Sequence, residues 1–430
     1  MKTERLYSLE LLRIFAMLLI VCHHFSVHGA IHAAWVNELI KNHYLKFFWV
    51  EFLASGGKVG VNLFVMITGY FLIHKIAKVS SLIKLYLTTV SYTLIIYLIF
   101  VFFGKTSFTL NSLIDNIFPI ATGRYWFITA YAVLILISPF LSIGLNSIFN
   151  SFFELRNSPK LGASLPIINS RSSLSLVKTI KDSIFHFLCY IFSLRWFVKY
   201  DSDLENSPGF KRGVALLFVL VILFSFFPSL VLFGQWPSFY VNDLIWFIVL
   251  FCTASTISFF NFRFSSKTFA IFSLCFFLLY FWVNSLNLVV LLSIATDVNI
   301  LYPFSQNNLL IYILSVSIFL YFKDLKCHFN FWVKKIINII APSTLGIYLI
   351  HDNEYIRPFL WNVIFNTKKH FFYDSFFLWS IYSIFLVFLT CVVVDRLLNI
   401  IEKPIFSIIN HKFSKLDSIV INLFKSNKNQ

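Results

Sequence analysis

Long apolar runs separated by short polar clusters form the main pattern of this chain. Because about 20 apolar residues cross the hydrocarbon core of a bilayer, the pattern predicts about ten membrane-spanning helices. We place them at residues 8–28, 59–76, 82–103, 125–146, 213–234, 240–261, 268–293, 307–322, 335–352 and 376–400. Two weaker apolar segments, 44–54 and 183–198, are predicted to be interfacial or re-entrant helices. The predicted fold class is an all-α polytopic membrane protein.

The composition is typical of a membrane protein, and the predicted topology explains the net charge. Of 430 residues, 58% are hydrophobic and 13% are charged, whereas soluble domains contain about 25% charged residues. With the N-terminus inside, most of the 35 Lys and Arg residues fall on predicted cytoplasmic loops, as the positive-inside rule requires. The net charge of +16 therefore needs no nucleic-acid partner. Both termini are predicted to be cytoplasmic, and the protein is expected in the cell membrane.

The polar segments suggest a simple domain organisation. Residues 1–404 are predicted to form one membrane domain, with a cytoplasmic loop region at about 147–212, and residues 405–430 a short basic cytoplasmic tail. The six cysteines contain no CxxC pair and lie mostly inside apolar runs. Neither a disulfide framework nor a zinc site is indicated, and we expect no metal.

Arg13 and His24 are ionisable residues inside the first predicted span, where a charged side chain raises the free energy of membrane insertion. They are eleven residues apart, which is three helical turns plus about 20°, with a rise of about 16 Å, so they share a helix face without touching. His23 points about 100° away. Arg13 could simply snorkel to the headgroups beside Glu10, and His24 could be a hydrogen-bonded interior histidine. Taken together, however, they offer a base for a hydroxyl nucleophile and a cation for a phosphorylated donor.

Three further segments contain polar groups at or near membrane depth: 56–72, 123–141 and 341–361. Glycine-mediated helix packing, an aromatic belt and a solvated helix end each explain one of them. Alternatively, the segment 341–361 lines a site that opens to the outer face. Aromatic and acidic residues predicted at the outer face would suit a sugar, although an aromatic belt would look the same in sequence: Trp236, Tyr240, Asp243, Asp352, Glu354 and Trp361.

In combination these motifs resemble the integral-membrane acyltransferase 3 family over most of the chain. The resemblance rests on Arg13 and His24 at their spacing, on GKVGVNLFVMITGY, on Trp126 with Phe127, on Ser343 with IYLIH, and on the exit Glu402-Lys403-Pro404. Thr68 stands where the family usually has Ser, and Asn62 where an acidic residue is common. No esterase-like domain follows the membrane region, unlike in the fused members.

The resemblance implies an O-acyltransferase that moves an acyl group, usually acetyl from acetyl-CoA, to a hydroxyl of a surface polysaccharide or lipid-linked glycan. His24 and Arg13 are the implied catalytic pair, and Arg13 also the expected contact with the acyl-CoA phosphates. The expected substrate-binding residues are Asn62, Thr68, Lys58, Arg124, Trp126, Tyr348 and His351. The expected partners are acyl-CoA, the carbohydrate acceptor and membrane lipids.

Two other classes remain open from the sequence: a flippase or transporter for lipid-linked oligosaccharide, and a polysaccharide polymerase. A transporter would more often contain internal repeats or broken helices at the midplane, and no convincing repeat is visible. A polymerase would be expected to carry a large outer loop, but the longest predicted outer connection is residues 29–58.

Overall fold

The computed structural model describes residues 6–30, 43–150, 207–226, 242–263, 305–326 and 328–426, with a few isolated positions between 228 and 278. These residues are mainly helical and include no β-strand, which confirms the predicted all-α class. The interfacial segment predicted at 183–198 lies outside the described residues. So do most of the loop region 147–212 and almost all of the span predicted at 268–293.

The helices follow one another along the chain with few other elements. They are α1 Tyr7–His24, α2 Tyr44–Leu72, α3 Val79–Phe102, α4 Leu110–Ile117, α5 Trp126–Asn150, α6 Pro208–Val221, α7 Asp243–Phe259, α8 Leu309–Asp324, α9 Phe331–Ile340, α10 Thr344–His351, α11 Ile356–Pro358, α12 Thr367–Phe371 and α13 Phe376–Ser426. Three of them continue as π-helical turns: α1 through Phe25–Ala30, α6 through Ile222–Phe226 and α11 through Phe359–Ile364. A 3₁₀ turn, Ala341–Ser343, joins α9 to α10.

Seven helical segments among the described residues have the length and composition to cross a membrane. They are Tyr7–Ala30, Leu45–Leu72, Val79–Phe102, Trp126–Asn150, Pro208–Phe226, Phe331–His351 and Phe376–Leu423. The apolar helix α7 has 17 residues and α8 has 16, so both are shorter than these. The chain is therefore a multi-pass membrane protein, while the count of ten and the cytoplasmic termini stay predictions.

The prediction of a separate interfacial helix at 44–54 is wrong. Residues 44–72 form the single helix α2, which passes through the glycines and Lys58 without a break. The glycines pack against α1, as the glycine-packing explanation of residues 56–72 predicts, because a Cβ at Gly60 would lie 2.5 Å from the Ala16 carbonyl oxygen of α1, and a Cβ at Gly57 would overlap the His23 side chain. The close contact between α1 and α2 thus explains the polar-looking interruption.

Buried polar groups tie the remaining helices together. The Tyr92 hydroxyl on α3 donates to Asp395 on α13 at 2.7 Å, and Asn399 donates to the same carboxylate. Helix α13 continues past Pro404 to Ser426, so residues 405–426 of the predicted tail are helical. There the Asp417 carboxylate accepts hydrogen bonds from the Ser80 backbone N–H and hydroxyl at the start of α3. The boundary at 404 stays a prediction.

Candidate active site

Two histidines from distant parts of the chain meet where α1 and α10 end. His24 is the last residue of α1 and His351 the last of α10, and both are buried. His24 Nδ1 lies 2.8 Å from His351 Nε2, and His351 Nδ1 lies 2.5 Å from the Ile347 carbonyl oxygen one turn back in α10. The result is a linear chain of two imidazoles that ends on a backbone acceptor.

This arrangement fixes which ring nitrogens carry protons. A carbonyl oxygen only accepts, so His351 Nδ1 bears the hydrogen, and in the neutral ring His351 Nε2 is then an acceptor. His24 must therefore donate from Nδ1, which leaves the lone pair of neutral His24 on Nε2. His24 Nε2 makes no hydrogen bond to any described residue. The geometry thus presents a free basic nitrogen, which is the atom a general base needs.

A carboxylate lies beside the two rings. Asp352 Oδ1 is 3.7 Å from His24 Nδ1, 3.9 Å from His28 Nε2 and 3.1 Å from Arg357 Nη1. Burial raises the pKa of Asp352 to about 6, with the Arg357 guanidinium acting in the opposite direction. Above that pH the ionised carboxylate stabilises positive charge on His24, and Arg357 holds the carboxylate in place.

Aromatic side chains form one wall of this site. The Tyr348 ring centroid lies 6.4 Å from that of His24 and 5.7 Å from that of Tyr125, which directly precedes α5. The Tyr125 hydroxyl donates to the Leu349 carbonyl at 2.8 Å and accepts from Asn353 at 2.9 Å. These two hydrogen bonds attach the end of α10 to α5 and so hold His351 in position.

His24, His28 and Asp352 also offer ligand atoms within 4.8 Å of one another, close enough to approach a single cation. Two imidazoles and a carboxylate would suit zinc. Arg357, however, donates to Asp352 Oδ1, the carboxylate oxygen nearest to both histidines. A guanidinium on that oxygen opposes a second cation, so we interpret Asp352 as the partner of Arg357 and of a protonated histidine.

Arg13 lies on α1 eleven residues before His24, at a rise of about 16 Å. Its guanidinium pairs with Glu10 at 2.9 Å, and its side chain is 31% exposed. The ion pair is the one that snorkelling predicts. The structure therefore does not bring Arg13 to the histidines, and its role toward a donor stays a prediction.

Asn62 and Thr68, two predicted substrate contacts on α2, are instead hydrogen-bonded within the protein. Asn62 accepts from Trp246 Nε1 and donates to the Gln306 carbonyl and the Ser315 hydroxyl, at 3.0 to 3.2 Å. Thr68 donates to the Phe64 carbonyl and pairs with the Tyr131 hydroxyl at 2.9 Å. Both therefore link helices, and neither contacts the histidines.

Arg124 is also engaged by the protein. It bonds Asn116 Oδ1 at 3.1 Å, forms an ion pair with Glu354 and lies 3.5 Å from Asp115. These contacts connect α4 to the segment that follows Asp352. Arg124 is thus placed to hold that segment, whereas the sequence suggested a direct substrate contact.

Lys58 and Trp126 form a separate cluster near the start of α5. Lys58 Nζ lies 5.7 Å from the centroid of the Trp126 ring, which is 36% exposed. Phe127 connects this cluster to the histidine site, because its ring centroid is 5.7 Å from that of Tyr348. Of the other residues that could suit a sugar, Trp361 is fully buried against Phe25, and Trp236 and Tyr240 lie outside the described residues.

Sequence reasoning missed His28 and Asn353. The sequence contained a signal for His28, since it follows His24 by four residues and so lies on the same helix face. Asn353 directly follows the IYLIH motif and its aspartate, but its contact with Tyr125 across 228 positions is invisible in the sequence.

Residues 6–201 match the acyltransferase 3 family. The matching family model is described as an acyltransferase domain, and it covers His24, Arg13 and the aromatic start of α5. The resemblance inferred from the motifs is thereby confirmed for this part of the chain, which is slightly less than half. Neither the curated proteins nor the solved structures contain a match to this chain.

The acyltransferase domain supports a membrane acyltransferase in general. His351, Asp352 and Arg357 lie beyond the matched range, yet they contact His24 directly. The site therefore combines the matched N-terminal part with residues from the last third of the chain.

Proposed function

We propose that this acyltransferase transfers acetyl from acetyl-CoA to a hydroxyl of a surface polysaccharide or lipid-linked glycan. The observation that carries the proposal is the hydrogen-bond chain from His24 through His351 to the Ile347 carbonyl, which leaves His24 Nε2 free as a base. An alcohol is a weak nucleophile at its own pKa and needs such a base.

The proposed reaction is a direct transfer. The acceptor hydroxyl gives its proton to His24 Nε2 while its oxygen forms a bond to the thioester carbonyl carbon. The carbon–sulfur bond then breaks, and the sulfur of CoA leaves with the proton that His24 had taken. During the step His24 carries a positive charge, and the Asp352 carboxylate 3.7 Å from Nδ1 stabilises it.

The roles of the other groups follow from their positions. His351 orients the base, Arg357 keeps Asp352 in place, and Arg13 with other basic residues on the predicted cytoplasmic side attracts the phosphates of CoA. Arg13 must exchange its Glu10 partner for phosphate, which its partial exposure permits.

The test replaces His24 by Asn in cells that carry the gene and in which the variant is shown to reach the membrane. We expect base-labile O-acetyl groups to disappear from the surface polysaccharide while the polymer itself is retained, as measured by NMR of the purified glycan. The matched control is His23→Asn, which changes a neighbouring histidine whose Nδ1 faces the Ala54 carbonyl at 2.6 Å instead of His351.

Two results contradict the proposal. Normal acetylation by the His24 variant would show that His24 is not the base. Loss of the polymer in a deletion strain, instead of loss of its acetyl groups, favours a flippase or a polymerase.

A further inference from the structure

The structure assigns a sugar-binding subsite to Lys58, Trp126 and Gln306, at the same end of the fold as His24. We propose that this subsite holds an uncharged sugar residue of the acceptor glycan. The inference rests on the proposed function for the identity of the acceptor. It adds the site at which the acceptor is bound and the kind of sugar that is bound there.

The first observation is an unused acceptor. Gln306 is 7% exposed, and its Nε2 donates to the Asp243 carboxylate at the start of α7. That bond fixes the orientation of the amide, because a carboxylate requires the NH₂ side. The Gln306 Oε1 atom is then left buried without a hydrogen-bond partner among the described residues. A buried acceptor of this kind costs free energy unless a ligand or a water molecule donates to it.

The second observation is an ammonium group with unused donors. Lys58 lies mid-way along α2 and makes no hydrogen bond to a described residue. Its contacts there are electrostatic, with Asp243 and His23, and a cation–π contact with the Trp126 ring. Three N–H donors that lack acceptors require a ligand or water oxygen.

The third observation is an aromatic surface beside the Lys58 ammonium. The Trp126 ring is 36% exposed and lies next to the Lys58 ammonium. An apolar ring together with one donor and one acceptor at fixed positions is the usual composition of a small-molecule site. Sugars present both features, namely C–H faces that pack on a ring and hydroxyls that donate and accept.

The charge of the cluster favours an uncharged sugar over an acidic one. Lys58 and Asp243 carry opposite charges and interact with each other, so the cluster has no net charge to offer an acidic sugar. The position of the cluster relative to His24 indicates the length of the acceptor. Trp126 is linked to His24 through successive ring contacts with Phe127 and Tyr348. We place the sugar held on Trp126 next to, and not at, the sugar that is acylated, so the acceptor is a glycan longer than one residue.

The test is a binding measurement with the full-length protein in lipid nanodiscs. The probe is the surface polysaccharide of the native host, stripped of O-acetyl groups by mild alkali and titrated by microscale thermophoresis. We expect Lys58→Met and Gln306→Leu each to weaken glycan binding about tenfold, since each removes a hydrogen bond that involves a charged or buried group. Trp126→Ala should weaken it more than Trp126→Phe, which keeps a ring. Binding of acetyl-CoA should stay within twofold of wild type in all four variants.

The chain offers a matched control. Lys335 Nζ lies 5.4 Å from the centroid of the Trp332 ring on α9, in the same kind of lysine–tryptophan pair. Helix α9 follows Phe329, which packs against Tyr7 at the start of α1, so this pair lies at the end of the fold opposite to His24. Lys335→Met should leave glycan binding unchanged.

The outcomes separate this inference from the proposed function. If Lys58→Met and Gln306→Leu, both folded by thermal unfolding, bind the glycan as wild type does, the subsite is wrong even when transfer proceeds. The same conclusion follows if wild type does not bind the stripped glycan. If Gln306→Leu fails to fold, Lys58→Met decides alone, because Lys58 makes no hydrogen bond that folding would lose. If these variants lose glycan binding but wild type transfers no acetyl, the subsite stands and the proposed function fails.

Discussion

In the proposed reaction, His351 sets the reactivity of His24 without touching the substrate. His351→Leu removes the acceptor that holds His24 Nδ1–H at 2.8 Å. A buried donor that loses its partner costs about 1–3 kcal/mol, and about 1.4 kcal/mol corresponds to a factor of ten. If that cost appears in the step where His24 takes the proton, kcat falls about 10- to 100-fold. Because His351 makes no contact with the predicted donor side, the KM for acetyl-CoA should not change.

The assay is the initial rate of radiolabelled acetyl transfer from acetyl-CoA to the stripped glycan, with purified protein in nanodiscs. His351→Gln should recover part of the rate, since its amide oxygen offers an acceptor to Nδ1–H. His23→Gln is the control, because His23 bonds the Ala54 carbonyl and lies outside the histidine chain. A His351→Leu enzyme that is folded and retains more than half of the wild-type kcat would refute the reasoning about the tautomer.

Three further predictions concern the pH profile and the fold. The rate of transfer should fall as the pH drops through about 6, the pKa of Asp352, because protonation removes the charge that stabilises protonated His24. In Arg357→Gln this acidic limb of the pH–rate profile should move to higher pH, since Arg357 lowers the pKa of Asp352. Gly60→Ala should lower the unfolding temperature by several degrees, because its Cβ would meet a backbone carbonyl of α1 at 2.5 Å. Asp395→Ala should destabilise the protein by about 2 kcal/mol, since the Tyr92 hydroxyl loses its acceptor.

Each of these predictions has its own control. The groups that face Asp352 are His24, His28, Tyr125, Tyr348 and Arg357. A pH limb that stays in place in Arg357→Gln would contradict the assignment of that limb to Asp352. For Gly60 the control is Gly144→Ala, which has no heavy atom within 4 Å of the new Cβ and should stabilise α5 slightly. Equal effects of the two alanines would contradict close helix packing. For Asp395, Tyr92→Phe should recover much of the stability in the double variant, because the stranded hydroxyl is then gone; failure to do so would reject that hydrogen bond.

Some features of the protein could be predicted from the sequence because they depend on local pattern. Apolar runs of about 20 residues determine helices that cross a bilayer, and seven described helices meet that requirement. The spacing of Arg13 and His24 follows from helical geometry alone, as does the ion pair of Arg13 with Glu10 three residues earlier. The family resemblance also rested on local motifs, and the match to residues 6–201 confirmed it.

The Gly-rich part of α2 shows where local pattern misleads. The sequence predicted a short interfacial helix at 44–54 and a separate span from residue 59, yet the structure has one helix from Tyr44 to Leu72. The cause is tertiary, because the side of Gly60 is filled by the backbone of α1 and a larger residue would not fit. The sequence shows that glycine is small, but it does not show which part of the protein packs against it.

The arrangement of the two histidines was likewise decided by tertiary structure. His24 and His351 are 327 positions apart, and no local rule brings their nitrogens to 2.8 Å. The sequence supplied two histidines on helix ends, and it named Asn62, Thr68 and Arg124 as substrate contacts on equal terms with Lys58 and Trp126. Only packing separated them, since Asn62, Thr68 and Arg124 have protein partners, whereas the Lys58 ammonium and His24 Nε2 do not hydrogen-bond to any described residue. Hydrogen-bond satisfaction depends on neighbours in space, which is why it could not be read along the chain.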